Sequence, residues 1–111
     1  MSSIPNVLTI AGSDPSGGAG IQADLKTFSA MKVYGTSVIT NITAQNTHGI
    51  SDIFTLPVHI IESQLKSIFE DIEIAAVKIG MLHSVQIIEL VRDVLSYYKP
   101  NNIILDPVLV S

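Results

Sequence analysis

Hydrophobic positions along the chain alternate between short apolar runs and longer stretches with helical spacing. Residues 6–12 form an apolar run that ends in glycine, which is typical of a strand buried on both faces. Residues 36–44 are rich in Thr, Val and Ile and predict a second strand. Residues 75–79 and 103–107 predict two further apolar strands, and Asp106 lies at the carboxyl end of the last one.

Between these runs, apolar residues recur at the spacing of amphipathic helices. Three such groups occur: Ile21, Leu25 and Phe28; Ile61, Leu65, Ile68, Phe69 and Ile72; and Ile87, Ile88, Val91, Val94, Leu95 and Tyr98. Pro57 lies where the second helix can begin, and Ser84 is an N-cap candidate for the third, which Pro100 ends. Residues 46–49 carry a turn signal, and residues 52–56 predict a short extra strand.

Strands separated by helices of this length pair in parallel through right-handed crossovers. The pattern therefore predicts an α/β fold with a doubly wound, mostly parallel sheet and helices on both faces. The last predicted strand has no following loop or helix, which would leave a sheet edge uncovered. We expect residues 1–111 to be the N-terminal part of one longer domain.

Composition narrows the class of protein. The 111 residues are 47% hydrophobic and 14% charged, which predicts a folded core. A net charge of −4 argues against a nucleic-acid partner. The absence of cysteine excludes disulfides and thiolate metal sites. The chain shows neither a signal peptide nor an apolar stretch of the roughly 18 residues that a membrane helix needs, so we expect a cytoplasmic protein without a membrane partner.

The densest chemical signal is the glycine-rich segment AGSDPSGGAGIQAD at residues 11–24. It follows a predicted strand and opens a helix, with four glycines in nine positions that let the backbone approach a ligand. It is not a Walker A loop, and it fails the dinucleotide pattern because Ala23 stands three residues after Gly20. A turn that needs glycine only for its flexibility is the simpler interpretation.

Four side chains near predicted strand or helix ends could contact a ligand there. Asp24, about one turn into the first helix, could accept a ligand hydroxyl or amine, or simply favour the helix dipole. Gln45, at the end of the second strand, could pair with an aminopyrimidine edge or cap a turn. Asp106 could lie near a magnesium–phosphate group or form an Asp-Pro turn. Met81 could cover a ring or fill the core.

The remaining titratable residues give weaker signals. His48, His59 and His83 share no ligand spacing, so we predict surface roles and no metal site. Lys78 by itself indicates nothing specific.

Several segments together resemble a known family. Residues 8–28, 34–35, 37–40, 44–47 (AQNT), 78–82 (KIGML) and 105–108 (LDPV) are similar, in order, to the opening of hydroxymethylpyrimidine/phosphomethylpyrimidine kinases. These kinases belong to the ribokinase-like superfamily, so the resemblance implies that fold.

The resemblance also implies an activity and a site. The activity is ATP- and Mg²⁺-dependent phosphorylation of 4-amino-5-hydroxymethyl-2-methylpyrimidine, and then of its monophosphate, in thiamine biosynthesis. The implied residues are Gln45 and Asp24 as pyrimidine ligands, Gly12, Ala19, Met81 and Val108 as pocket lining, and Asp106 as a catalytic residue near the phosphates and metal. The family's anion hole and most of its ATP contacts lie in its C-terminal half, so residues 1–111 would hold only part of the machinery.

Other functions stay open on the sequence. Pyridoxal or pyridoxine kinases share the superfamily fold and a similar Asp-Pro-Val segment. A chain that truly ended at Ser111 could be a non-catalytic pyrimidine-binding module. The family's members often dimerise, which leaves a homodimer open.

Overall fold

The computed structural model of the protein describes residues 4–106, which form six strands and three helices. In chain order these are β1 (Asn6–Ala11), α1 (Gly20–Ala30), β2 (Tyr34–Ile39), β3 (Asn41–Asn46), β4 (Gly49–Thr55), α2 (Val58–Phe69), β5 (Ala76–Ile79), α3 (Val85–Tyr98) and β6 (Asn102–Leu105).

Four strands form an entirely parallel sheet in the order β2-β1-β5-β6, while β3 and β4 form a separate antiparallel hairpin. The chain first moves from β1 outward to β2 and then returns to β5, on the other side of β1. The strand order therefore reverses between β1 and β5. This doubly wound arrangement confirms the predicted α/β fold.

The main apolar core lies on one face of the sheet. Leu8 and Ile10 of β1 are fully buried there, with Val77 of β5. The helices α2 and α3 cover this face with Ile61, Leu65, Ile87, Val91, Val94 and Leu95. Full burial of each large aliphatic side chain contributes about 1.5–3 kcal/mol, so this layer holds the sheet in place.

Helix α1 packs on the opposite face of the sheet, against β1 and β2. Successive side chains of a strand point to opposite faces, so Thr9, between Leu8 and Ile10, faces α1. A Cβ atom at Gly35 of β2 would lie 3.0 Å from the side chains of Leu25 and Phe28, so α1 packs close against this strand. Helices therefore cover both faces, as predicted.

The predicted helix ends are largely confirmed. Helix α2 begins directly after Pro57, and the Ser84 hydroxyl accepts a hydrogen bond from the Ile87 backbone N–H at 3.4 Å at the start of α3. Lys99 ends α3 in the left-handed conformation, with φ of 51°, directly before Pro100. Ile72 was predicted to belong to the second helix, but α2 ends at Phe69.

The prediction of one strand over residues 36–44 is wrong. That segment divides at Thr40 into β2 of the parallel sheet and β3 of the hairpin. The Thr40 N–H donates to the Ala11 carbonyl at 3.0 Å and the Ser13 N–H to the Asn41 carbonyl at 2.9 Å, so the chain leaves the sheet where β1 ends. The predicted extra strand over 52–56 is also longer than expected, since β4 begins at Gly49.

Strand β6 forms an uncovered edge of the parallel sheet. All four of its residues are exposed, including three apolar ones, with Leu105 at 69%. The strand begins one residue before the predicted run over 103–107 and ends at Leu105, and Pro107 lies outside the described residues. Between residues 4 and 106, no helix is both long and apolar enough to cross a membrane.

Candidate functional site

A cleft of about 300 Å³ opens at the carboxyl ends of β1 and β5, where the strand order reverses. Open α/β sheets bind ligands at this position. Six of the residues predicted from sequence line this one cleft: Gly12, Ala19, Asp24, Gln45, Met81 and Asp106. Val108, the seventh, lies outside the described residues. Residues from five different elements and loops thus meet at the predicted edge of the sheet.

Asp14 organises the glycine-rich loop from within. Its carboxylate accepts hydrogen bonds from the Ser16 hydroxyl at 2.6 Å, the Ser16 N–H at 2.9 Å and the Ala19 N–H at 2.9 Å. The hydrogen bond from the Ser16 hydroxyl is the largest cause that lowers the pKa of Asp14; burial opposes it, and the backbone N–H groups add to the lowering. Asp14 was not among the residues predicted from the sequence, although Asp side chains commonly accept a hydrogen bond from the backbone two residues on.

Two glycines let this loop approach its neighbours closely. Gly20 has φ of 62°, and the following Ile21 N–H donates to the Gly12 carbonyl at 2.9 Å. A Cβ atom at Gly20 would collide with that carbonyl oxygen, and one at Gly12 would collide with the Asn41 side chain. Flexibility alone therefore does not explain these glycines, because the cleft wall has no space for side chains at either position.

Gln45 reaches the cleft from the hairpin and not from the parallel sheet, which corrects the predicted position. The register of β3 and β4 shifts between Ala44 and Gln45, and such bulges redirect side chains. Ala44 is exposed, whereas Gln45 is half-buried and lines the cleft. The hairpin therefore supplies one wall of the site.

The hydrogen bonds around Gln45 indicate how its amide is oriented. The Thr43 hydroxyl donates its single proton to the Ser13 carbonyl at 2.7 Å and also lies 3.2 Å from the atom placed as Gln45 Oε1, which leaves no proton between the two oxygens. The amide nitrogen and oxygen are exchangeable assignments, so the consistent choice has the nitrogen donating to Thr43. The amide oxygen of Gln45 then has no partner among the described residues and can accept a hydrogen bond from a ligand.

Four side chains form a polar cluster that extends from the base of the cleft, at Asp24, to its rim, at Asp106. Asp24 accepts a hydrogen bond from the Thr9 hydroxyl at 2.6 Å through one oxygen and from the Lys78 ammonium through the other. The same ammonium lies 3.5 Å from the Asp106 carboxylate. The strand register brings Thr9 and Lys78 side by side, because they are direct partners in β1 and β5.

The charges of this cluster act on Lys78. Burial would lower the pKa of the Lys78 ammonium, but the hydrogen bond and charge of Asp24, with those of Asp106, outweigh it and raise the pKa above its ordinary value. Lys78 is therefore a permanent cation between two carboxylates. This role of Lys78 was not predictable from the residues around it, since Asp24 lies 54 residues away along the chain.

The outer rim of the cleft is more open. Met81 follows β5 and is 46% exposed, and the Asp106 side chain is 52% exposed. The Asp106 N–H donates to the Ile79 carbonyl at 2.9 Å, which fixes the backbone at this end of β6. His83 also lines the cleft, but no group of three or more His, Cys, Asp or Glu side chains within residues 4–106 could hold a metal ion.

A second cleft, of about 400 Å³, lies at the amino ends of β5 and β6. It is lined by residues 69–74 and 98–101, which precede β5 and β6. Because ligands of such sheets gather at the carboxyl ends of the strands, the cleft beside the glycine-rich loop is the better candidate site.

Comparison with known proteins identifies the family. A sequence model described as phosphomethylpyrimidine kinase matches residues 14–111. The chain belongs to the phosphomethylpyrimidine kinase family. The resemblance read from the glycine-rich loop and the AQNT segment is thereby confirmed.

Individual relatives agree with this assignment. The hydroxymethylpyrimidine/phosphomethylpyrimidine kinase of Haemophilus influenzae is 52% identical over 111 residues, which are 100% of this chain and 41% of the relative. The crystal structure of a phosphomethylpyrimidine kinase from Clostridium difficile has a TM-score of 0.92 at 55% identity, over 96% of this chain and 46% of that one. A pyridoxal kinase from Staphylococcus aureus in complex with pyridoxal has a TM-score of 0.87 at 39% identity, over 98% and 41% of the two chains.

These neighbours confirm the predicted ribokinase-like fold. The chain spans about two fifths of the length of the kinases from Haemophilus influenzae and Escherichia coli, in their N-terminal part.

Proposed function

We propose that this chain is the substrate-binding part of a kinase that phosphorylates 4-amino-5-hydroxymethyl-2-methylpyrimidine and then its monophosphate in thiamine biosynthesis. One observation carries the proposal: in a member of this family, Gly12, Gln45 and Asp24 converge with the other predicted residues on one cleft at the sheet's switch point. The cleft, at about 300 Å³, lies at the small end of the range for ligand pockets, of about 300–1,000 Å³, which suits a small heterocycle.

The lining offers each kind of contact that this ring requires. The unpaired amide oxygen of Gln45 and the carboxylate of Asp24 accept hydrogen bonds from the ring's exocyclic amine. The backbone around Gly12 and the side chains of Ala19 and Met81 provide flat and apolar surfaces for the ring faces. Val108 is expected to extend this lining. Binding in this way would direct the hydroxymethyl group toward the outer rim of the cleft, where Asp106 lies.

ATP and Mg²⁺ are the cofactors that this function requires. Mg²⁺ keeps several waters and is bound through one or two carboxylates and the substrate phosphates. Asp106 fits that requirement, because its carboxylate is half exposed at the rim and open to a hydrated ion. The ion would supply charge stabilisation at the transferred phosphoryl group. Asp106 is the residue of this chain that we propose to act there.

We further propose that residues 1–111 form one domain with polypeptide that corresponds to the rest of the relatives' length. The exposed apolar strand β6 is a sheet edge that needs covering, and the chain matches only 41% of the Haemophilus influenzae relative. The anion hole and most nucleotide contacts implied by the family would lie in that part.

A coupled assay of ATP consumption by the intact polypeptide, with the pyrimidine alcohol as substrate, tests the function. We expect turnover that requires Mg²⁺. Asp106→Asn should reduce kcat strongly, whereas Asp93→Asn, which changes an exposed carboxylate on α3, should not. No turnover by a folded intact protein would reject the kinase, and binding without turnover would indicate a pyrimidine-binding module.

Substrate choice is tested in the same assay. The identity of 55% with a phosphomethylpyrimidine kinase, against 39–44% with two pyridoxal kinases, favours the pyrimidine. Side-by-side kinetics with pyridoxal should show a higher kcat/KM for the pyrimidine alcohol, and the reverse order would overturn the assignment.

A further inference from the structure

The carboxylate of Asp24 is held by two different donors, one on each oxygen. Thr9 donates its hydroxyl proton to one oxygen at 2.6 Å, and Lys78 donates from its ammonium to the other. The Asp24 side chain is only 10% exposed, and it lines the cleft. Each carboxylate oxygen can still accept one further hydrogen bond, so Asp24 can serve a ligand without breaking either contact.

The two donors differ in what they permit. A hydroxyl can donate or accept, so Thr9 could turn its proton away from Asp24 and accept instead. An ammonium has three donors and no acceptor, so Lys78 can only donate to Asp24. Lys78 is therefore the group that holds the Oδ1 oxygen of Asp24 as an acceptor.

The position of Lys78 makes this constraint rigid. Its strand, β5, is paired on both sides, with β1 and β6, so the backbone at Lys78 is fixed between Thr9 and Ile104. The Asp106 carboxylate, 3.5 Å from the ammonium on the other side, holds the charge in place. Among the described residues, Lys78 is the only lysine or arginine that lines the cleft.

We propose that Lys78 is a specificity-determining positioning residue, which keeps Asp24 an obligate hydrogen-bond acceptor so that the cleft selects a ring with an amino group over the same ring with an oxo group. This inference rests on the proposed function, because it assumes that Asp24 faces the substituted edge of the pyrimidine. An amino group donates to the carboxylate, whereas an oxo group would place two acceptors against each other.

Calorimetric affinities of the intact polypeptide for the 4-amino pyrimidine alcohol and for its 4-oxo analogue test the inference. Sites built around a buried hydrogen bond reject an analogue that lacks it by large factors, so we expect the wild type to favour the amino compound by about 100-fold or more. In Lys78→Met the ratio of the two affinities should fall by about tenfold or more, because Oδ1 of Asp24 then loses the donor that holds it as an acceptor toward the amino group.

Three other variants distinguish a positioning role of Lys78 from a general loss of binding. Lys78→Arg keeps a cation without an acceptor, so it should retain the ratio even where both affinities fall. Lys78→Gln, which adds an acceptor, should lose the ratio and serves in place of Lys78→Met where that protein does not fold. Lys66→Met removes a lysine from an exposed pair with Glu62 and should leave both affinities unchanged.

The outcomes are distinguishable. Wild-type binding of neither compound would remove the proposed function and this inference with it. A wild type that prefers the amino compound, together with Lys78→Met and Lys78→Gln variants that bind both compounds more weakly at an unchanged ratio, would overturn the role of Lys78 alone.

Discussion

Replacing single glycines of this chain with alanine should separate two physical costs that the structure assigns to different positions. Gly20 combines φ of +62° with a backbone carbonyl where its Cβ would be, whereas Gly49 has φ of +144° and nothing within 4 Å. Gly18 has neither constraint, since its Cβ would meet only the Asp14 carboxylate at 3.8 Å. The three positions therefore form a graded series.

The magnitudes follow from these geometries. A left-handed conformation costs an L-residue about 1–2 kcal/mol, and forced overpacking costs about 1–3 kcal/mol more. Alanine also restricts the unfolded chain, which offsets about 0.4–1 kcal/mol. We therefore expect Gly20→Ala to reduce the free energy of unfolding by about 2–4 kcal/mol and Gly49→Ala by about 1 kcal/mol. Gly18→Ala should change it by less than about 0.5 kcal/mol.

Urea denaturation of the intact polypeptide, followed by circular dichroism, measures all three values. The clash at Gly20 involves the Gly12 carbonyl, which cannot rotate away as a side chain could, so the cost should not be relieved by local adjustment. Equal destabilisation by Gly18→Ala and Gly20→Ala would refute the account of the loop. A Gly20→Ala protein as stable as the wild type would refute it as well.

Three further changes test other parts of the structure. Gln45→Ala should weaken binding of the pyrimidine alcohol by about 1–3 kcal/mol in calorimetry, whereas Gln86→Ala, which changes an exposed residue of α3, should not. Equal affinities of Gln45→Ala and wild type would exclude Gln45 as a ligand. Because folding lowers the pKa of Asp14 below 3.8, its carboxylate stabilises the fold above that pH, and the contribution is lost as the pH falls through the lowered value. Asp14→Asn should therefore be less stable at neutral pH and should lose stability less steeply below pH ~4, and an acid limb identical to that of the wild type would contradict this. Ser84→Ala should cost about 0.5–1 kcal/mol in urea unfolding, the low end for an N-cap because its hydrogen bond is long at 3.4 Å, and no measurable loss would show that the cap does not contribute.

Elements whose apolar pattern is self-contained were predictable from the sequence. The buried run of β1 and the stripe of α3 need no knowledge of distant residues, since each pattern follows from the element's own period. The cap at Ser84 and the left-handed Lys99 before Pro100 are likewise local features. These elements were found close to their observed bounds.

The division of residues 36–44 could not be found in this way. No Gly or Pro within residues 36–44 marks a break near Thr40, and the β-branched residues of the segment suit either sheet. The break is decided by the carbonyl of Ala11 and the N–H of Ser13, which pair with Thr40 and Asn41 from a distant part of the chain. Sheet membership here depends on tertiary hydrogen bonds, and local propensity does not encode them.

The candidate site, too, could be predicted from the sequence only in part. The glycine-rich loop, Asp24 and Gln45 could be selected because their residue types and neighbouring strand ends indicate ligand contact. Lys78 could not, since a lysine in an apolar strand acquires meaning only when the strand order places it between Asp24 and Asp106. The order β2-β1-β5-β6 is a property of the whole fold.

An amide NMR titration of the intact polypeptide with 4-amino-5-hydroxymethyl-2-methylpyrimidine tests most directly whether the glycine-rich loop and the hairpin bind the same ring. We predict that the backbone signals of Gly12 and Ala19 and the side-chain amide of Gln45 shift together with one dissociation constant, while the signals of α3 do not move. Shifts confined to one of the two walls, or centred on α3, would contradict the account.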